Sequence, residues 1–141
     1  MPDWLSRLFA LFRPADAGQR GEHAAADFLR TQRSFTIVAR NWRNPRDRRD
    51  ELDLVCRDGE VLVFVEVKAR KAGALVPGYY AVDKRKKRVL HRAAKAYLSR
   101  LASPPPTFRL DVVEVSLPVD GGAPEILHFE NVPLFAKHFR G

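Results

Sequence analysis

The chain has 141 residues, 45% of them hydrophobic, which fits one soluble globular domain and leaves too little sequence for a second core. A formal net charge of +8 favours an anionic partner, with nucleic acid as the first candidate and acidic lipid as the second. The single cysteine, Cys56, excludes an internal disulfide and a cysteine zinc cluster, and no apolar stretch reaches the roughly 18 residues that a membrane span needs.

Residues 1–16 are predicted to form an amphipathic extension ahead of a single domain at residues 17–141. Apolar side chains between Trp4 and Phe12 suit one or two helical turns, whereas Arg7 and the short apolar run exclude a signal peptide. Docking on the domain or on another protein chain is the favoured interpretation, and attachment to a membrane surface is the alternative. We therefore predict a cytoplasmic protein with no stable membrane insertion.

A helix is predicted from Ala17 to Arg33, because apolar residues recur there with helical spacing. Glu22 lies on the stripe of this helix that should face a sheet, from which its carboxylate can reach acids on the strands. A first-turn glutamate favoured by the helix dipole is the alternative interpretation. A strand from Phe35 to Trp42 and a charged loop from Asn44 to Asp50 are expected to follow.

Two strands, Glu51–Cys56 and Val61–Lys68, flank Asp58-Gly59, which is a strong hairpin signal. An even-numbered turn pairs Cys56 with Val61, Asp53 with Phe64, and Glu51 with Glu66. Because opposed residues share a face, one face is expected to carry the charged side chains Glu51, Asp53, Glu66 and Lys68. The other face is expected to be solid core, made of Leu52, Leu54, Cys56, Val61, Val63, Val65 and Val67.

Charges inside the apolar run of this hairpin need a reason, because burying an unpaired charge costs several kcal/mol. Carboxylates at close range also resist joint ionisation unless a cation lies between them. Oxygen ligands of this kind suit Mg²⁺ or Mn²⁺, so the acids predict a divalent metal site. The alternative is an ion pair between Glu66 and Lys68 at a strand end, with Glu51 and Asp53 solvated. The four histidines show no ligand spacing and are interpreted as surface or packing residues.

Beyond the hairpin, a connection from Lys71 to Gly78 leads to a helix that is capped by Asp83 and ends near Leu101. Further strands are predicted at Phe108–Val115 and Glu125–Phe129. This order of helices and strands favours an α/β sandwich in which helices cover a mixed sheet.

The second helix carries eight Lys and Arg residues and no acid after Asp83. A continuous stripe along it is formed by Lys84, Arg88, Arg92 and Lys95. Cations at a helix N-terminus oppose the helix dipole, so contact with an anion is favoured over a merely solvated face. The stripe therefore predicts a nucleic-acid-binding surface.

Six blocks of the sequence occur in a recognisable order: Gly21-Glu22, Arg40-Asn41, Glu51-Leu-Asp-Leu54, Phe64-Val-Glu-Val-Lys-Ala-Arg70, Val82 with Lys84, and Phe108-Arg-Leu-Asp-Val112. Together they resemble the YraN-like family of bacterial proteins, over about Gly18 to Val115. That family looks like the PD-(D/E)xK nuclease superfamily, whose restriction-endonuclease-like fold is shared by archaeal Holliday junction resolvases. The resemblance implies a three-layer α/β/α sandwich with a central mixed sheet.

The resemblance also implies roles for individual residues. Asp53 and Glu66 match the acids that bind Mg²⁺ or Mn²⁺ in the superfamily, Lys68 matches the catalytic lysine, and Glu22 matches an auxiliary helix acid. Roles in phosphate contact are implied for Arg70 and Lys84. In one departure from the family pattern, Asp50 stands where relatives usually have a glycine before the Glu-x-Asp block.

We predict a metal-dependent, endonuclease-like hydrolase of phosphodiester bonds. Its expected partner is nucleic acid, with DNA favoured over RNA. Nucleic acid is expected to contact Arg70, Lys84, Arg88, Arg92 and Lys95. A binding module on the same fold, without cleavage, is the first alternative. A scaffold or membrane-associated protein that acts through Trp4 to Phe12 is the second. A homodimer is a further expectation, because many enzymes of this fold pair to cut two strands.

Overall fold

The computed structural model describes residues 17–71 and 84–133. In these residues the helices are α1 (Ala17–Gln32) and α2 (Lys84–Ser99), and the strands are β1 (Thr36–Asn44), β2 (Asp47–Asp58), β3 (Val61–Lys71), β4 (Thr107–Leu117) and β5 (Glu125–Phe129). The strands form a sheet in the order β1-β2-β3-β4-β5, in which β3 and β4 run parallel and the other neighbours antiparallel. A parallel pair needs a crossover, and α2 lies in the connection between β3 and β4.

The two helices cover opposite faces of this sheet, and each has its own apolar cluster. Leu29 of α1 packs in one cluster with Val63 and Val65, whereas Leu90 of α2 packs in the other with Phe64. Successive residues of β3 thus alternate between two cores, which explains its continuous apolar run. The fold is a three-layer α/β/α sandwich with a mixed sheet, as predicted.

The charged loop expected from Asn44 to Asp50 is instead a tight hairpin. Asn44 at the end of β1 pairs with Asp47 at the start of β2, so the turn consists of Pro45 and Arg46. The Asn44 side-chain oxygen accepts a hydrogen bond from the Arg46 N–H at 3.1 Å, which stabilises the turn. The sequence prediction was wrong because this hairpin end is solvated, and its strands lack the apolar alternation that marks a half-buried strand.

The β2–β3 register differs from the predicted register by two residues. Gly59 and Glu60 form the turn, with Gly59 at a φ of 59°, so that Asp58 pairs with Val61 and Cys56 with Val63. A shift of two preserves the face on which each side chain lies. It also moves Asp53 away from Phe64 and towards Glu66.

The core face predicted for the hairpin was wrong at one residue, Leu52. The other six apolar residues expected there belong to the cluster beneath α1, but Leu52 packs in the cluster beneath α2. The β1–β2 pairing passes from Arg40↔Leu54 to Trp42↔Leu52, and Asn41 between them adopts a left-handed φ of 50°. The alternation of faces along β2 is thus broken between Leu52 and Leu54, next to Asp53.

Cys56 is buried as predicted, and burial raises the pKa of its thiol to about 12, so it is an inert core residue. The predicted extension at residues 1–16, the connection beyond Lys71 and the Asp83 helix cap lie outside the described residues. Of the helices in residues 17–71 and 84–133, none is long and apolar enough to span a membrane.

Helix α1 lies close against β3 at Gly21, where a Cβ atom would lie 2.6 Å from the Ala69 Cβ. Gly21→Ala is therefore expected to lower the free energy of unfolding by about 1–3 kcal/mol, despite the better helix propensity of alanine. Denaturant unfolding of Gly21→Ala measures this loss. Adding Ala69→Gly should recover most of it, because that change removes the opposing atom. Gly18→Ala in the exposed first turn is the control and should be neutral or stabilising; an equal loss there would contradict the steric explanation.

Candidate active site between β2 and β3

The candidate site lies where β2 and β3 separate. Their pairing ends at Leu54↔Val65, while β3 continues alongside β4 as far as Lys71. Asp53 occupies the opening, and its Oδ2 accepts a hydrogen bond from the Val67 N–H at 2.9 Å. The Asp53 side chain thus replaces the missing backbone hydrogen bond between the two strands. It fixes one carboxylate at the point where β2 and β3 separate, which we call the strand fork.

Glu66 is the buried acid of this fork, with a residue exposure of 3%. Its Oε1 lies 3.4 Å from the Lys68 Nζ and 3.4 Å from the Nζ of Lys86, which reaches in from α2. Its Oε2 is also buried and has no hydrogen-bond partner among residues 17–71 and 84–133. A buried oxygen in that condition is rare, so this atom marks a position at which a cation or a donor would be stabilised.

The pKa of Glu66 is raised to about 7, first by burial and then by the charge of the neighbouring Asp53 carboxylate, against the opposing effect of Lys86 and Lys68. Asp53 can accept a hydrogen bond from Glu66 when Glu66 is protonated, which favours the same form. In the absence of another cation, the two lysines therefore do not fully compensate the buried charge of Glu66.

Glu22 of α1 joins the cluster from the other side of the sheet. Its pKa is raised to about 7, first by burial and then by the charges of Asp53 and Glu51, while a hydrogen bond with Asn41 opposes the rise. The close contact between Gly21 and Ala69 brings this part of α1 down onto β3. Glu22 thus lies beside the acids of the fork, and the first-turn interpretation was wrong, because α1 begins at Ala17 and has no acid in its first turn.

The fit of these residues to a divalent cation can be tested from the donor set. No three His, Cys, Asp or Glu side chains in the described part of the chain converge as a metal-ligand group. Glu51, which the predicted register placed opposite Glu66, lies instead 3.6 Å from Arg43. Two adjacent carboxylates still suit Mg²⁺, which commonly takes one or two of them and completes its shell with waters and substrate phosphates. Asp53 and Glu66, with its unpartnered oxygen, meet that requirement.

Lys86 is a site residue that the sequence prediction missed in favour of Lys84. Lys84 is exposed at the start of α2, whereas the Lys86 ammonium contacts Glu66. Helical spacing could have identified it, because Lys86 lies four residues before the buried Leu90 and continues the stripe of α2 that faces the sheet.

The predicted phosphate-contacting residues lie in different settings. Arg88 and Lys95 are exposed on α2, but Arg70 is mostly buried, with its Nε 3.4 Å from the Glu114 Oε1. Arg92 donates hydrogen bonds from its Nε and Nη2 to the buried Asp50 Oδ1, at 3.2 and 3.0 Å. Asp50, the departure from the family pattern, therefore ties β2 to α2.

A second buried polar group, away from the fork, also escaped the sequence analysis. Asp111 of β4 is fully buried and binds Arg109, His128 and the Asn131 N–H. The His128 side chain is only 1% exposed and donates from its Nε2 to the Asp111 Oδ2 at 2.8 Å. An aspartate inside the apolar strand Phe108 to Val115 was the available signal. This cluster ties β5 and the segment after it to β4.

The family described as Uncharacterised protein family UPF0102 matches residues 21–115, which is more than half of the chain and includes the whole fork. The chain belongs to the UPF0102 family. A UPF0102 protein of Symbiobacterium thermophilum is 49% identical over 104 residues, which cover 74% of this chain and 85% of the relative. UPF0102 proteins of Porphyromonas gingivalis and Streptomyces coelicolor are 41% and 40% identical over 123 and 116 residues, which cover 86% and 82% of this chain and 87% and 86% of the relatives. UPF0102 is the YraN family, so the family predicted from the sequence blocks is confirmed.

The raised pKa of Glu66 predicts a pH dependence of stability in this UPF0102 protein. A carboxyl whose folded pKa exceeds its usual 4.5 favours folding most below pH 4.5, and this contribution disappears as the pH rises through about 7. Glu66→Gln removes the titration. Relative to the wild type, the variant should gain on the order of 1–3 kcal/mol between pH 4.5 and 7.5. Denaturant unfolding in EDTA across this range measures the difference, and a constant difference would contradict the prediction.

Proposed function

We propose that this UPF0102 protein is a nuclease-like hydrolase that cleaves phosphodiester bonds of nucleic acid with Mg²⁺ or Mn²⁺ as its cofactor. The observation that carries the proposal is the Glu66 carboxylate, which is buried with an unpartnered oxygen beside Asp53 and within 3.4 Å of two lysines. A purely structural ion pair has little reason to keep two acids together in a strand fork. The same pair suits a site that receives a cation and a phosphate.

Asp53 and Glu66 would hold the cation between them. The chemistry that such a cation supplies when bound is neutralisation of charge on a phosphoryl oxygen and a lowered pKa of the attacking water. Lys68 is partly exposed, with its ammonium 3.4 Å from the Glu66 Oε1, so it would stabilise a phosphate oxygen that approached the two acids. Lys86 contacts Glu66 from helix α2, in the next layer of the sandwich, and keeps the Glu66 carboxylate oriented.

Glu22 suits proton transfer. Because burial and the neighbouring acids raise its pKa to about 7, it is present in both protonation states near neutral pH. A group with that property can accept a proton from water or return one to a leaving oxygen. Its interaction with Asp53 supports a role at the fork rather than on the free surface of α1.

The alternative function is a nucleic-acid-binding module without cleavage. The observation that favours it is the absence of a three-ligand metal set among the residues that the structure describes. In that case Lys68 and Lys86 would serve as permanent counter-charges of Glu66. DNA as the preferred partner, a cytoplasmic location and a homodimer stay predictions from the sequence.

The proposal is tested by incubating the full-length protein with labelled single-stranded, duplex and branched DNA and with RNA, in Mg²⁺, Mn²⁺ or EDTA. Cleavage of at least one substrate is expected with either metal and not in EDTA, and it should disappear in Asp53→Asn protein. Thermal unfolding provides a second measurement, because Mn²⁺ should stabilise the wild type and not the variant. Binding without cleavage, together with a melting temperature that Mn²⁺ does not change, would favour the binding module.

A further inference from the structure

The tip of the β1–β2 hairpin and helix α2 form the two walls of a groove that the sequence prediction did not contain. Two open clefts, of about 930 and 560 Å³, lie between them and share Arg92. Arg46 and Arg49 line the hairpin wall, whereas Arg88 and Lys95 line the helix wall. Basic residues of both walls therefore contribute to the positive charge of the groove.

The charge balance of this groove is strongly positive. Eight Lys and Arg residues line the two clefts, against two acids, Asp47 and Asp50. Both acids are already engaged, because Asp47 lies 2.9 Å from Arg49 and Asp50 lies 3.0 Å from Arg92. An uncompensated basic groove is the electrostatic footprint of a polyanion.

The groove is held in shape and leads to the candidate active site. Asp50 is 3% exposed, and its two hydrogen bonds with Arg92 tie the base of the hairpin to α2, so the spacing of the walls is set before any ligand arrives. Lys86 belongs to the lining and at the same time contacts Glu66 in the strand fork. A chain of phosphates that lies in the groove would thus pass next to the acids.

The lining also indicates the form of the ligand. Proteins that grip single strands combine a basic groove with aromatic side chains on which bases stack, but the described residues that line the two clefts include no aromatic side chain. Helix α2 has 16 residues and is about 24 Å long, which corresponds to about seven nucleotides along one strand of a duplex. A concave groove of this length suits a rod-shaped duplex better than it suits a flat membrane surface.

We propose that the groove between the β1–β2 hairpin and α2 binds the sugar-phosphate backbone of double-stranded nucleic acid, without reading its sequence, and aligns it with the fork that holds Asp53 and Glu66. This inference rests on the proposed function only in taking nucleic acid as the ligand. Arg46 and Arg49 on the hairpin wall become phosphate contacts in addition to those of the α2 stripe.

The test is equilibrium binding of the full-length protein to a labelled 30-base-pair duplex in EDTA, at several salt concentrations. Arg46→Ala/Arg49→Ala is compared with Arg20→Ala/Arg30→Ala on α1. Each pair removes two exposed arginines, one of them ion-paired with a nearby aspartate. The hairpin variant should bind at least tenfold more weakly, with a salt slope reduced by about 1.8. The α1 variant should lose less than threefold and keep its slope.

Equal losses in the two variants would overturn the groove assignment. Binding of the single strand as tightly as the duplex would overturn the duplex assignment, and tighter binding to phosphatidylglycerol vesicles that depends on Arg46 and Arg49 would assign the groove to lipid instead. Because binding is measured without metal, its outcome is separate from cleavage. Intact groove binding with no cleavage in Mg²⁺ or Mn²⁺ would refute only the hydrolase, whereas cleavage unaffected by the hairpin variant would refute only the groove.

Discussion

Asp53→Asn and Glu66→Gln are each expected to slow cleavage by about 10²- to 10⁴-fold, which corresponds to the loss of several kcal/mol of transition-state stabilisation by a bound cation. Both changes keep the shape of the side chain and remove a charged oxygen ligand. The measurement is the single-turnover rate on whichever substrate the wild type cleaves in Mg²⁺. Each variant without metal should be as stable as the wild type or more so at neutral pH, because burial and the close approach of Asp53 both oppose the charged form of Glu66.

Glu51→Gln is the matched control for these two variants. Glu51 is a neighbouring acid of the same strand as Asp53, but it lies 3.6 Å from Arg43, and its charge affects the site only as a lesser cause of the raised pKa of Glu22. Its replacement should change the rate by no more than a few-fold. Full activity in Asp53→Asn or Glu66→Gln would remove the assignment of both acids as ligands. Marked unfolding of both variants would instead favour a structural ion pair between Glu66 and its lysines.

Asp111→Ala is expected to lower the free energy of unfolding by about 3–5 kcal/mol, the largest stability effect that we predict for this chain. Asp111 accepts hydrogen bonds from the Arg109 Nε and the Asn131 N–H at 2.9 Å each, and from His128 at 2.8 Å. Its loss would leave Arg109 and His128 largely buried without their shared acceptor. Chemical denaturation at neutral pH measures the change.

The lowered pKa of Asp111 also predicts how the loss of stability in Asp111→Ala depends on pH. Burial alone would raise its pKa, but hydrogen bonds from His128, Arg109 and the Asn131 N–H outweigh burial and hold it below the usual 3.8. Asp111 therefore stabilises the fold above pH 3.8, and the contribution disappears as the pH falls through its lowered pKa. The penalty of Asp111→Ala should be complete at neutral pH and shrink only in strong acid.

Asp58→Ala is the control for the Asp111 cluster. Asp58 also contacts Arg109, at 3.1 Å, but its side chain is 43% exposed, so the pair is partly screened by water. Its replacement should cost less than about 1 kcal/mol. A comparable loss in both variants would show that the Arg109 contact, rather than the burial of Asp111, carries the effect.

Much of this fold could be predicted from the sequence, because its signals are local. The apolar run of β3, the helical spacing in α1 and α2, and the Asp58-Gly59 turn signal depend on neighbouring residues and on the periodicity of each element. Glu66 and Lys68 could be identified as candidate site residues by the same means, since a charge in an apolar run stands out without knowledge of its partners. Glu22 could be placed on the stripe of α1 that faces the sheet for similar reasons.

The partners of those residues were decided by the tertiary structure alone. A two-residue shift in turn position leaves the side chains of the paired segments on their predicted faces, yet it exchanges Phe64 for Glu66 beside Asp53, and no local pattern distinguishes the two registers. Lys86 reaches Glu66, Arg92 reaches Asp50, and His128 reaches Asp111 from different elements of the chain. Such contacts depend on how helices are set against the sheet. Sequence periodicity determines the face on which a side chain lies, and packing between layers determines what it meets there.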